Sequence, residues 1–83
     1  TMLNEELLKR NISANINHLL EDRGMSQSDL SRAAKVERMA ISRIARGVNM
    51  ATTTILASIA QALEVTVDAL LSDPPRKNSR KAS

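Results

Sequence analysis

The chain has 83 residues, a formal net charge of +3, no cysteine, one histidine and no aromatic residue. A chain of this length forms one domain with a small core, and disulfides or thiolate-bound metals cannot stabilise it. Without aromatic residues the core must consist of Leu, Ile, Val, Met and Ala, which favours packed helices over a sheet. We therefore expect an all-α domain without a cofactor.

Other classes of protein are disfavoured by what the sequence lacks. No apolar run approaches the roughly 18 residues of a membrane span, and the N-terminus has no signal-peptide pattern. No carboxylate pair, Ser-His or Cys-His set, or glycine-rich phosphate loop is present, so an enzyme is not expected. The cytoplasm of a bacterium, or of a phage-infected one, is the expected compartment.

Basic and acidic residues are segregated along the chain. Residues 23–46 carry six basic and two acidic residues, whereas residues 1–22 sum to −2 and residues 47–73 to −3. A positive segment between two negative ones is typical of a phosphate-facing surface, and chance scatter is the alternative. Residues 74–83 hold four more basic residues. We predict that they form a disordered basic tail or linker after a domain of residues 1–73.

The first predicted helix runs from about Asn4 to Arg23, and Gly24 supplies a left-handed C-terminal stop. Leu3 and Leu7 extend its apolar side toward the N-terminus. The apolar set recurs at helical spacing and consists of Leu8, Ile12, Ile16, Leu19 and Leu20.

The second and third helices are short and close together. Ser26 and Asp29 form a capping-box pattern ahead of a helix over about 27–34. A turn near Lys35 leads to a third helix over about 38–46, which Gly47 ends. The side chains predicted to be buried in this pair are Leu30, Ala33, Ala34, Ile41, Ile44 and Ala45.

Two further helices complete the predicted domain. Thr52 is a suitable N-cap for a fourth helix over about 53–63, whose inner residues are apolar. Thr66 caps a short fifth helix with Val67, Leu70 and Leu71 inward. The prolines that follow Asp73 end it, because the residue before a proline disfavours the α region.

The third helix has an outer side that is suited to DNA. With its aliphatic side buried, the 3.6-residue period predicts five outward side chains: Arg38, Met39, Ser42, Arg43 and Arg46. An arginine fork matches O6 and N7 of guanine in the major groove, and Met39 could contact a thymine methyl group. The alternative is a solvated, charged helix face without a partner.

Residues 12–71 resemble the lambda-repressor and Cro-like helix-turn-helix domains, also called XRE-type regulators. Three stretches carry the resemblance: 24–27 with Leu30, 41–47, and 59–71. The resemblance implies a compact five-helix domain whose second and third helices form the helix-turn-helix. It also implies double-stranded DNA as the partner, and usually a homodimer.

The resemblance assigns roles to individual positions. Base reading falls to Arg38, Met39 and Arg43. Contacts with the DNA backbone fall to Ser26, Gln27 and Asn49. The outward positions on the third helix add Ser42, which could reach a phosphate or a base edge, and Arg46, which faces the backbone or has a structural role. Candidate dimer contacts are Val65, Val67, Leu70 and Leu71, with the N-terminal turns around Leu3 and Leu7 as the alternative.

Three positions depart from the family pattern. Lys35 and Glu64 stand where glycine is usual, so both are expected to adopt a left-handed backbone. Glu37 lies at the start of the third helix, where it suits the helix dipole but repels nearby phosphate.

The expected function is dimeric binding to a palindromic operator, with repression of transcription. Two alternatives stay open. One is the antitoxin partner of a toxin, which uses the same fold for autoregulation. The other is a protein-interaction module without a DNA role, and attachment to a second domain is a further possibility.

Overall fold

The computed structural model describes residues 4–74 and contains five helices there. Their bounds are α1 Glu5–Arg23, α2 Gln27–Ala34, α3 Arg38–Ala45, α4 Thr53–Leu63 and α5 Val67–Leu71. No strand occurs in this range, which confirms the predicted all-α fold. No helix within it is long and apolar enough to cross a membrane. The predictions for Leu3 and for residues 75–83 fall outside the described residues.

Side-chain caps begin four of the five helices. In each, the side-chain oxygen of the N-cap accepts a hydrogen bond from the backbone amide three residues later. These caps are Asn4, Ser26, Thr52 and Thr66. The predicted capping box at α2 is confirmed, because the Ser26 amide also donates to the Asp29 carboxylate over 2.9 Å. Such caps satisfy amides that have no partner within the helix.

Two non-glycine residues have the predicted left-handed backbone. Lys35 has φ 58° and ends α2, and Glu64 has φ 61° and ends α4. A side chain in this conformation costs about 1–2 kcal/mol per residue, so the packing on both sides must hold these turns. Both turns orient a following helix, α3 and α5 respectively.

The core is aliphatic and draws on all five helices. Helix α1 packs against α3 and α5, α2 packs against α3 and α4, and α4 packs against α5. Seven large side chains are essentially inaccessible to solvent: Ile12, Ile16, Leu30, Ile41, Ile59, Leu63 and Leu70. Leu70 is therefore removed from the predicted dimer surface, because its side chain is already enclosed within this copy of the chain.

Two details of the helix-turn-helix differ from expectation. Ala33 was predicted to be buried but is exposed. It faces an open hollow between α2 and α4, and the inner side of α2 is formed by Leu30 and Ala34 instead. Helix α3 ends at Ala45, and Arg46 is its C-cap.

Polar side chains on α1 are buried, which the apolar periodicity did not reveal. The Asn11 side-chain amide donates to the Leu71 carbonyl at 3.0 Å. The Asn15 amide donates to the carbonyls of Leu70 and Ser72, each at 2.8 Å. The last carbonyls of a helix lack partners within it, and these asparagines satisfy them at the end of α5.

Candidate nucleic-acid interface

Helix α3 has one side in the core and the other in solvent. Ile41 and Ile44 are 1% and 3% exposed, and Ala45 is equally enclosed. On the opposite side Arg38 and Arg43 are exposed, as the helical period predicted. The burial of the aliphatic side therefore fixes which side chains α3 presents outward.

The outer side of α3 and the first residue of α2 line an open groove of about 370 Å³. Its lining consists of Gln27, Arg38, Met39, Ser42, Arg43 and Arg46. Six of the eight predicted DNA contacts thus lie together. Ser26 and Asn49 are exposed but do not line the groove. Ser42 is half-buried and not fully outward.

The groove is positively charged without internal compensation. Among residues 4–74, the guanidinium groups of Arg38, Arg43 and Arg46 make no hydrogen bond and no ion pair. By contrast, Arg32 on α2 lies 2.7 Å from the Asp29 carboxylate, and Lys9 on α1 lies 3.2 Å from Glu6. Three unpaired guanidinium groups in one groove are suited to bind a polyanion, and their planar forks suit phosphate or guanine.

The two helices of the motif begin differently. The pKa of the Asp29 carboxyl is held below its ordinary value, chiefly by the hydrogen bond from the Ser26 amide. The Ser26 hydroxyl and the charge of Arg32 add to this effect. At the start of α3, Glu37 is exposed and makes no side-chain cap. Within residues 4–74 the first amides of α3 therefore have no side-chain cap.

Helix α3 is held at its other end by α1. The hydroxyl of Ser13 and the side-chain amide of Asn17 both donate to the carbonyl of Ala45. Sequence reasoning missed both residues because it followed only the apolar positions of α1. The available signal was their spacing of four residues, which places them on one side of a helix.

Two large apolar side chains are exposed near the arginines in sequence. Met39 is 60% exposed in the groove, and Val48 is 54% exposed in the loop after α3. Met39 was predicted as a contact, whereas Val48 was not. The available signal for Val48 was its position directly after Gly47, in the loop that follows α3. Exposed apolar groups beside arginine forks are suited to contact the methyl group of thymine.

Other kinds of site are poorly supported in the part of the chain that the structure describes. There, no group of three or more His, Cys, Asp or Glu side chains could hold a metal ion. A second open hollow, of about 490 Å³, lies between α2 and α4. Lys35 supplies its only charge, so nothing there converges on a ligand.

Comparisons with known proteins agree with this geometry. The family model HTH_3, described as helix-turn-helix, matches residues 16–70. A search of curated proteins gave no significant match.

Solved structures of transcription regulators have the same fold. A hypothetical transcription factor, NHTF, from Neisseria matches with a TM-score of 0.78 and 24% identity, covering 89% of this chain and 85% of its own. The clp gene regulator ClgR from Corynebacterium glutamicum matches with a TM-score of 0.72 and 28% identity, covering 82% and 72%. The restriction-modification controller protein C.AhdI from Aeromonas hydrophila matches with a TM-score of 0.71 and 21% identity, covering 81% and 98%.

Proposed function

The chain belongs to the HTH_3 family of helix-turn-helix DNA-binding regulators, and we propose that it is a sequence-specific repressor that binds a palindromic operator as a homodimer. The observation that carries this proposal is the outer side of α3. Its three arginines share one groove and have no acidic partner among residues 4–74. The three guanidinium groups are therefore available to bind an anionic ligand from outside the chain.

In the proposed complex, α3 lies in the major groove of the duplex. Arg38 and Arg43 read guanine edges, and Met39 contacts a thymine methyl group. Gln27, Ser42 and Arg46 contact the sugar-phosphate backbone and fix the register of the helix. Ser26 and Asn49 lie outside the groove lining, and we assign them flanking phosphate contacts. Occupancy of a promoter would exclude polymerase and so repress transcription in the bacterial cytoplasm, at the nucleoid.

The dimer is proposed to form through the half-buried apolar residues around α5. Val65, Val67 and Leu71 pack against the core but keep part of their surface accessible. A small aliphatic domain gains stability when a second copy covers such surface. Two copies would place their α3 helices about 34 Å apart, one turn of the duplex. Sedimentation at micromolar concentration tests this point, and a pure monomer with and without DNA would contradict it.

Selection of bound duplexes from a random pool tests DNA recognition itself. We expect an inverted repeat whose half-sites contain guanine and whose centres are about ten base pairs apart. Binding to the selected duplex should also weaken steeply with salt, because phosphate contacts release counterions. A pool that shows no enrichment would contradict sequence-specific binding. Salt-insensitive binding to proteins alone would instead favour the protein-interaction module.

A further inference from the structure

The C-terminal end of α3 is clamped by side chains from α1. Ser13 Oγ donates to the Ala45 carbonyl oxygen, and Asn17 Nδ2 donates to the same oxygen over 2.8 Å. Asn17 Nδ2 also lies 3.0 Å from the carbonyl oxygen of Ser13. We call Ser13 and Asn17 the α1 clamp. It joins segments that are about 30 residues apart in sequence, so local helix formation does not explain it.

The clamp supplies hydrogen-bond donors to a carbonyl that the backbone amides after α3 do not reach. The amides of Gly47 and Val48 donate to the carbonyls of Ile44 and Arg43. Within residues 4–74 the carbonyl of Ala45, the last residue of α3, has only the clamp as a partner. A buried carbonyl without a partner is costly, so the two donors hold this end of α3 at one position.

Backbone packing adds to the same junction. Gly47 has φ 76° and lies so close to α1 that a Cβ built on it would be 3.6 Å from the Ser13 Cβ. Arg43 and Arg46 lie two residues before and one residue after Ala45 and line the groove. Contacts with α1 thus fix the position of the C-terminal half of the groove. The N-terminal half begins at Arg38, where Glu37 provides no side-chain cap.

We propose that Ser13 and Asn17 are positioning residues for DNA reading, because they hold Arg43 and Arg46 in the alignment that base contacts need. The inference rests on the proposed function of α3. Bidentate contact with a guanine edge tolerates little displacement, whereas attraction to phosphates is far less sensitive to position. The loss of the clamp should therefore lower specificity more than it lowers general affinity for DNA.

The chain contains a matched control on the same helix. Asn11 donates to the carbonyl of Leu71 at the end of α5, over 3.0 Å. Asn11→Ala removes one side-chain donor from the C-terminal end of a helix, as Asn17→Ala does. The control acts on α5, which contributes nothing to the lining of the groove. Because α5 also carries the proposed dimer contacts, all variants are compared on a duplex with a single half-site, which one copy of the chain occupies. Any purely structural effect of losing such a bond should appear in both variants.

The experiment compares the affinities of four proteins for a duplex with one selected half-site and for a random duplex of equal length. These are the natural chain, Asn17→Ala, Ser13→Ala/Asn17→Ala and Asn11→Ala. Fluorescence anisotropy of labelled DNA suits a protein without aromatic residues, and far-UV circular dichroism checks that each variant is folded. For the double variant we expect about a tenfold loss on the selected duplex and a change within about twofold on random DNA.

A double-mutant cycle shows which side chains the clamp acts through. If Asn17 positions Arg43, then Asn17→Ala should weaken binding less in an Arg43→Ala background than in the natural chain. The same cycle with Arg38→Ala should be close to additive, because Arg38 lies at the unclamped end of α3. If the double clamp variant unfolds, the single variants Ser13→Ala and Asn17→Ala carry the comparison, because each leaves one donor on the Ala45 carbonyl.

An unchanged ratio of specific to random affinity in the folded clamp variants would overturn the inference. So would an equal fall in that ratio for Asn11→Ala. Neither result would affect the proposed function. If the natural chain itself shows no preference for any duplex, the proposed function fails, and that outcome is visible before any variant is compared.

Discussion

Helices α2 and α3 have the same length of eight residues but satisfy their polar groups in opposite ways. Helix α2 begins with a full capping box, and its Arg32 is paired with Asp29. Helix α3 begins at Arg38 without a side-chain cap from Glu37, and the arginines on its outer side have no ion pair within residues 4–74. The capping and charged groups of α2 thus find their partners within or next to the helix, whereas those of α3 remain available to an outside ligand.

The difference shows how a short helix can be held firmly in the fold while the polar groups on one side stay available for binding. Local capping and pairing account for α2, but α3 depends on the rest of the domain. Ile41 and Ile44 hold its inner side in the core, and α1 holds its last carbonyl. Stability and recognition are therefore separated onto opposite sides of α3, and substitutions on the two sides should have different effects.

The largest expected effect is on the buried side of α3. Ile41→Ala should lower the free energy of unfolding by about 2–5 kcal/mol, because it leaves a cavity at a fully enclosed position. Urea denaturation followed by far-UV circular dichroism measures the change. The control is Met39→Ala on the outer side, which should stay within about 0.5 kcal/mol. Similar losses for both variants would contradict the separation of the two sides.

The next effect concerns binding and not folding. Arg43→Ala should cost about 1–3 kcal/mol on the best duplex and relax base preference at one position, while stability is retained. Arg32→Ala is the matched control on α2, where the guanidinium is already paired with Asp29. Affinity measured on both selected and random duplexes separates the possible roles. An equal loss on both would make Arg43 a phosphate contact.

A smaller effect tests the two helix starts directly. Ser26→Ala should lower stability by about 1 kcal/mol, because the Asp29 amide loses its partner. Glu37→Ser should raise stability by up to about 1 kcal/mol, because it supplies the cap that α3 lacks. Thermal unfolding of the two variants gives both numbers. A loss of stability in Glu37→Ser would show that the start of α3 already has its partner.

The smallest effect is a dependence on acid pH. Since the folded-state pKa of Asp29 is below its ordinary value, its ionised form adds stability above the ordinary carboxyl pKa. That contribution is lost as the pH falls through the folded-state pKa. Asp29→Asn should therefore lower the unfolding temperature at neutral pH and flatten its dependence on acid. Parallel pH profiles for the two proteins would contradict this role of Asp29.

Apolar periodicity and cap residues were sufficient to predict the five helices from the sequence. Ser26, Thr52 and Thr66 each begin a helix as expected, and Lys35 and Glu64 have the expected positive φ. The outer side of α3 followed from the burial of its aliphatic residues. These features depend on local chemistry or on a single helical period, which a sequence displays directly.

Features that depend on contacts between distant segments were missed. Ser13 and Asn17 look like ordinary polar residues of α1 until the end of α3 lies beside them. Leu70 seemed available for a dimer, and Ala33 seemed buried, because periodicity does not show which neighbour covers a given position. The amphipathic pattern identifies the inner side of a helix, but it does not show how completely other elements bury each residue on that side.

Nuclear magnetic resonance of the arginine side chains tests the central claim most directly. On titration with the selected duplex, the Nε–Hε signals of Arg38, Arg43 and Arg46 should shift strongly, while that of Arg32 stays in place. This result is expected if the open side of α3 meets the DNA and α2 remains internally paired. Strong shifts at Arg32 without shifts at the three groove arginines would place the DNA elsewhere and contradict the account.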